Sequence, residues 1–382
     1  MDEPLGPPEP PEPLPYLGNI TSYVATASGC PKTALPVQYN SAVISQSLLD
    51  RYRLQAYARD LLPVERVAMC HRIPRPGMDV SVLYAPAHHS SHYGGLMVCG
   101  SLWQCPVCAA KITERRRLEL QQAVAAWQAG GGYVALASLT LSHDHADNLR
   151  DVLARLSRAY RLLRASRWWR DWSAALGLVG YVRSLEVTWG AATGWHPHYH
   201  VLFFVPLLPH YELWDALKRQ WVGVVTAAGG YATYAAGCDV RYADGAVARY
   251  VSKWGVEHEL AKGPVKLGRQ GRSSPLALLA AYADGDADAG RRWLLYATGM
   301  HGQRQLLWSR GLRARLGLAD ECSDEDLAVA QVDEVAVILA SLTPRQWRLV
   351  VAQDARGDLL AVARTGDPRI VESFLLDLGI YG

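Results

Sequence analysis

Short apolar runs alternate with amphipathic stretches through the middle of the chain. Tyr133–Ser142 (YVALASLTLS) reads as a mostly buried strand. Asn148–Ala165 places Leu149, Val152, Leu153, Leu156, Tyr160 and Leu163 at helical spacing. Gly180–Trp189 and His198–Val205 read as two further strands, and the connector between them holds Gly190 and Gly194, which suits a hairpin. Tyr211–Ala227 is again helical, Cys238–Tyr242 reads as a fourth strand, and Gly245–Glu257 as a helix after it. The order β-α-β-β-α-β predicts an α+β fold of the ferredoxin-like, split βαβ kind with an antiparallel sheet. In it the first and third strands lie side by side, and the second pairs with the third.

The flanks are organised differently. Seven of the first fifteen residues are proline, a composition that favours extended chain and builds no core, so 1–46 is expected to be disordered. A helical pattern runs from about Ser47 to Ala68 and leads into a cysteine-rich stretch, giving a 47–130 module ahead of the 131–260 core. Between Lys262 and Arg315 ten Lys/Arg stand against three Asp, which sets off 261–318 as a basic extension. The sign then reverses through Asp320, Glu321, Asp324, Glu325 and Asp326, and 319–382 reads as a small helical C-terminal region.

Length and charge narrow the classes. The 382 residues suffice for two or three domains, and with half of them apolar no staples are needed to bury a core. A net charge of +3 excludes a histone-like polycation, so any basic surface is local. No apolar run reaches membrane-spanning length. The start Met1-Asp2-Glu3-Pro4 lacks the basic and apolar segments of a secretory signal, so a reducing cytoplasm is the expected compartment. Seven cysteines, four of them within 70–108, then suggest metal ligands or free thiols before disulfides.

The sharpest chemical feature is Trp195-His196-Pro197-His198-Tyr199-His200. Residues two apart on a strand share a face, so His198 and His200 project together. The preceding strand supplies Glu186, which lies roughly opposite His200 if the turn centres near Thr193. Two imidazoles and a carboxylate with open positions fit a catalytic divalent cation better than a closed structural zinc. His196, beside Pro197, sits at the mouth of this site as accessory ligand or substrate contact. His143, at the end of the first strand, is either a second accessory group or a loop histidine. Further on, Tyr250, Lys253, Trp254 and Glu257 share a helix face, although one tyrosine among 19 carries little weight alone.

Cys70-x28-Cys99-x5-Cys105-x2-Cys108 can close a tetrahedral structural zinc site, with His71, His88, His89 or His92 as substitutes for one ligand. Buried free thiols or a redox pair are the other readings. Cys30, Cys238 and Cys322 stand apart and read as packed residues. Arg115, Arg116 and Arg117, and the loop carrying Lys266, Arg269 and Arg272 among glycines, are candidate DNA phosphate contacts, against the plainer reading of solvated charge. Trp168, Trp169 and Trp172 cannot all share one helix face, which leaves one as a possible base-stacking platform.

These segments together resemble a known family. GWHPHYHVLFF, the upstream EVTW and the downstream ARYVSKW resemble motifs two and three of HUH endonucleases, and more narrowly of replication initiators from bacterial rolling-circle plasmids. LTLSH resembles the first motif, and Cys99–Cys108 (CGSLWQCPVC) the cysteine-rich preface; LGRQGRSSP and GQRQLLWSRGL extend the likeness, which covers roughly residues 60–318. The resemblance implies a site-specific nick in single-stranded origin DNA, a covalent 5′-phosphotyrosine and a free 3′-OH primer. By position, His198, His200 and Glu186 would hold Mg²⁺ or Mn²⁺, Tyr250 would attack, and Lys253 would steady the developing charge. Host helicase and polymerase are the implied partners; no membrane is, and the subunit count stays open. One departure stands out: where some members carry a glutamate four residues before the tyrosine, this chain has Ala246, which leaves the terminating cleavage to Asp244, Glu257, a second subunit or an incoming hydroxyl. The rival readings are a single-tyrosine transposase or mobilisation relaxase, a metallohydrolase, and a non-catalytic zinc-containing DNA-binding protein.

Overall fold

The computed structural model describes residues 41–241, 247, 272–329 and 335–381. The chain is α+β, with two antiparallel sheets. Helix α1 (Ser41–Leu61) stops seven residues short of the expected end at Ala68, because Pro63 lacks the N–H to continue it and disfavours helix in the residue before. Strands β1 (Val80–Ala85) and β2 (Ser90–Gly94) form a hairpin, and α2 (Pro106–Ala129) follows with its proline in the first turn.

Four strands of the larger sheet are the expected ones, and the stretch expected only as a basic extension adds two short ones. β3 (Tyr133–Leu139) is followed by α3 (Leu149–Ala165) and α4 (Arg167–Ala175). Asn148 caps α3, and Ser166 both ends α3 and caps α4 through the Trp169 N–H. β4 (Gly180–Gly190) and β5 (Gly194–Val205) form the hairpin; α5 (Tyr211–Ala227), α6 (Tyr234–Gly237) and β6 (Cys238–Arg241) come next. β7 (Arg272–Ser273), α7 (Pro275–Ala283), α8 (Ala287–Gly299), β8 (Leu306–Trp308) and α9 (Leu312–Arg315) complete this part. The strand order is β6-β3-β5-β4-β7, with β8 also on β4, and β3–β5, β3–β6 and β4–β5 all run antiparallel. Of the helix expected over Gly245–Glu257, only Val247 is among the described residues.

Alternation along the strands divides the sheet into two faces. Odd-numbered residues such as Ala137, Leu139, Leu185, Val201 and Phe203 pack with Leu153, Leu156 and Leu163 of α3 and Trp172 of α4. Even-numbered residues Val134, Leu136, Val182, Leu202 and Phe204 pack with Leu120 and Val124 of α2, with Leu306, Leu312 and Val247. Toward one end of this even face the apolar side chains give way to Ser138, Glu186, His198 and His200.

The C-terminal part differs from the purely helical region expected. After α10 (Asp324–Val329), Val337–Leu342 forms β9, a run rich in strand-favouring side chains, and β9 pairs with β1 in a sheet of order β2-β1-β9. Helices α11 (Pro344–Ala352), α12 (Arg356–Ala363) and α13 (Pro368–Asp377) follow. Trp347 Nε1 donates to Arg72 O at 3.0 Å, and the fully buried Arg356 donates to Gln55 Oε1 at 2.8 Å, so the two ends of the described chain share a core. Among the described residues no helix is long and apolar enough to cross a membrane.

Candidate active site and metal centre

The β4–β5 hairpin assembles the first cluster. Glu186 lies directly opposite His198, because the turn is the three residues 191–193 between the paired Gly190 and Gly194. The turn therefore centres one residue before Thr193, which moves the partner by two and leaves the face unchanged; His200 is the diagonal neighbour. Gly194 is required at its position: its φ is +71°, and a Cβ there would meet Asp144 O and His145 Cα, each at 2.9 Å.

Glu186 Oε2 is 3.5 Å from His198 Nε2 and 3.5 Å from His200 Nε2. His198 Nδ1–H donates to His196 O at 3.3 Å, and His200 Nδ1 is 2.9 Å from Ser138 Oγ. Burial pushes the Glu186 carboxyl upward, but His200 and the hydrogen bonds from both imidazoles outweigh it and hold the group well below the usual carboxylate range. The donor atoms of Glu186, His198 and His200 lie within 4.8 Å of one another and have the chemistry of a site for a divalent cation.

Two more histidines extend the cluster. His143 Nδ1–H donates to Thr193 O at 2.7 Å, so its Nε2 accepts from His196 Nδ1–H, also at 2.7 Å. Burial, then the charges of His198 and Arg272, lowers the His196 pKa to about 2; burial also lowers that of His143. Both rings are therefore neutral, and His196 keeps its Nε2 lone pair. Arg272, expected on a loose basic loop, instead lies on β7 opposite Gly190. Tyr250, Lys253, Ala246, Lys266 and Arg269 lie outside the described residues. Val247, three positions before Tyr250, is fully buried on the face that carries Glu186, His198 and His200.

The second cluster unites Cys70, Cys99, Cys105 and Cys108, all buried. Cys108 Sγ is 3.5 Å from Cys70 Sγ and 3.5 Å from Cys99 Sγ, and Cys105 Sγ is 3.8 Å from Cys70 Sγ. A tetrahedral zinc with bonds of about 2.3 Å has sulfur–sulfur edges of about 3.8 Å, so the donor set fits that ion. Burial opposes ionisation of Cys105, but hydrogen bonds from the other thiols and from the Cys108 N–H hold it well below the ordinary thiol range. Cys70 and Cys99 are pushed up in turn, first by their hydrogen bonds to Cys105. Gln55 Nε2 and Ser101 N–H also point at sulfur, at 3.2 and 3.4 Å. The four sulfurs already complete a tetrahedral set without His71 or His89, whose Nδ1 atoms meet the Tyr52 and Tyr84 hydroxyls at 2.7 and 3.0 Å. Cys238 is a packed thiol, and Cys30 lies outside the described residues.

The three consecutive arginines do not present a phosphate-binding row. A helix turns 100° per residue, so three in sequence cannot face solvent together. Arg116 is buried against Asp324 and Gln305, and Arg117 against Glu114 and Gln121. Arg116 thus braces α2 against Asp324 of α10 and Gln305, Arg117 pairs along α2 itself, and Arg115 is half-buried beside them. The tryptophans likewise favour packing: Trp169 and Trp172 are buried, and Trp168 stacks on Trp172 with ring centroids 5.5 Å apart.

Residues 97–339 match the family model described as Replication protein. The chain belongs to this replication-protein family. "Protein rep" of Streptomyces lividans is 30% identical over an alignment of 309 residues that covers 62% of this chain and 68% of that protein. "Neomycin resistance protein" of Streptomyces cyanogenus is 33% identical over 135 residues, 29% of this chain and 31% of that relative, so the match spans under a third of its length. No solved structure matches. The segment shared by this replication-protein family contains Cys99, Cys105, Cys108, Glu186, His198 and His200, while Cys70 lies ahead of it.

Proposed function

We propose that this protein initiates plasmid rolling-circle replication by nicking single-stranded origin DNA, with Tyr250 as nucleophile. The observation that carries the reading is the carboxylate of Glu186 equidistant from two imidazole nitrogens on one sheet face. The strand order β6-β3-β5-β4 is that of the ferredoxin-like, split βαβ core and supports an HUH assignment. Val247 ties the chain just before Tyr250 to the same face, and three residues reach at most about 11 Å.

The phenolate oxygen of Tyr250 attacks the scissile phosphorus in line; the P–O3′ bond breaks, and the departing strand takes a proton as its 3′-OH. A phenol loses its proton only near pH 10, so Lys253 serves to stabilise the phenolate and the charge building on the phosphate. Glu186, His198 and His200 would hold a Mg²⁺ or Mn²⁺, which supplies Lewis-acid withdrawal of charge from the phosphate oxygens. Ser138 and the His196 carbonyl fix the rings of that set, while the His143–His196 pair and Arg272 border it. The 5′ end stays on tyrosine, so bond energy is conserved for rejoining, and the 3′-OH serves a host polymerase as primer while a host helicase unwinds. The four cysteines would hold a structural Zn²⁺ at the start of α2, whose far end packs on the same sheet face.

Scission of single-stranded origin oligonucleotides in Mn²⁺ tests this. Glu186→Gln and His200→Ala are expected to lower the rate at least about 100-fold while single-strand binding persists, in keeping with the several kcal/mol a metal contributes. Wild-type rates from either variant would overturn the metal assignment.

A further inference from the structure

The side of the large sheet opposite the histidines carries a feature that nicking does not use. Tyr160 of α3 stacks edge-on against Tyr199, and Trp172 of α4 against Phe203, so both helices cover the odd-numbered face, away from Glu186, His198 and His200. Along them arginine recurs at every third position: Arg155, Arg158, Arg161, Arg164, Arg167 and Arg170, preceded by Arg150. Seven arginines against Asp151 and Asp171 give these two helices a net charge of +5, so the rest of the +3 chain nets −2.

Packing sorts these arginines. Arg155 pairs with Asp147, and Arg164 lies over the Trp169 and Tyr181 rings at 5.1 and 4.4 Å. Arg167 is 3.5 Å from Asp171, in a highly exposed pair worth little in water. Arg158, Arg161 and Arg170 are exposed. At 100° per residue, Arg150, Arg158 and Arg161 fall within about 80° of one another on the solvent side of α3. Guanidinium groups are weakly hydrated and bind phosphate oxygens bidentately, which suits them to a polyphosphate ligand.

We infer that the solvent face of α3 and α4 binds the phosphate backbone of duplex DNA, on the opposite side of the sheet from the nick site. A single strand needs exposed rings for its bases as well as charge. Here the rings are turned inward, with Trp169 and Trp172 buried and Trp168 stacked on Trp172. What remains is charge without base readout, the chemistry of a duplex backbone. The inference goes beyond the nicking reading: it holds the double-stranded origin flank while the single strand is cut on the other face.

The test is the salt dependence of full-length protein binding to a random-sequence duplex, with scission of a single-stranded oligonucleotide followed in parallel. The triple variant Arg158→Gln/Arg161→Gln/Arg170→Gln is expected to lower the slope of log affinity against log salt by about 2.7, at 0.9 per phosphate contact. Wild type then loses about 40-fold more affinity than the variant between about 50 and 200 mM salt. Scission is unchanged, and the triple Arg→Lys variant keeps the wild-type slope. An unchanged slope in the Gln variant, or an equal loss on single-stranded and duplex probes, would overturn the inference. Loss of scission in wild type itself would strike the nicking reading and leave this one standing.

Discussion

Replacing Cys105 with serine removes the sulfur most disposed to be a thiolate, at the N-terminus of α2. The observed sulfur separations of 3.5 to 3.8 Å already match the edge of a zinc tetrahedron, so little rearrangement accompanies binding. An ion present at about a hundred times its Kd stabilises the native state by about 2.7 kcal/mol. At roughly 2–4 °C per kcal/mol for chains of this order, losing it lowers Tm by about 5–10 °C. The assay is zinc released per chain on thiol modification, beside thermal unfolding with and without chelator. Wild type should release about one equivalent and melt lower in chelator; Cys105→Ser should bind none and melt at the lower temperature either way. Metal-free wild type melting as the loaded protein does would refute the zinc account.

Two other perturbations probe the fold around the site. Gly194→Ala forces a side chain into left-handed backbone, at about 1–2 kcal/mol, and against Asp144 O and His145 Cα, which must move with His143; a reduced Tm and slower scission are expected, and unchanged melting would contradict the tight approach. Burial pushes the Cys238 thiol up to about 12, so at pH 8 almost none of it is thiolate. An acid whose folded pKa is raised above its unfolded value is stable below the unfolded value and loses that stability as pH rises through about 9 to 12. Native Cys238 should therefore resist alkylation at pH 8 and react in denaturant; full native labelling, read by peptide mass, would contradict its burial.

Periodicity carried much of this architecture. The runs at 133–142, 180–189 and 198–205 became β3, β4 and β5, and the same-face rule placed His198 with His200 before any tertiary contact was known. The turn centre slipped by one, because the connector 190–197 between the predicted strands does not fix which three residues are unpaired; an even displacement of the partner saved the face. Long-range contacts were less legible. Nothing local predicts that His143 meets His196 across 53 positions, or that β9 pairs with β1. Arg115, Arg116 and Arg117 looked like one basic patch when read as a string, but the helix sends them in different directions, two of them onto Glu114 and Asp324. The arginine repeat of α3 and α4 was visible in the sequence yet hidden by the apolar repeat of the same helix.

The central claim is that a phenol attacks DNA beside the Glu186–His198–His200 set. Its most direct measurement is mass spectrometry of proteolysed protein after reaction with single-stranded origin oligonucleotide and Mn²⁺. The account predicts a nucleotide adduct on the peptide containing Tyr250, absent in Tyr250→Phe and in His198→Ala. An undiminished adduct in Tyr250→Phe, or cleavage that leaves no protein-bound DNA, would contradict it.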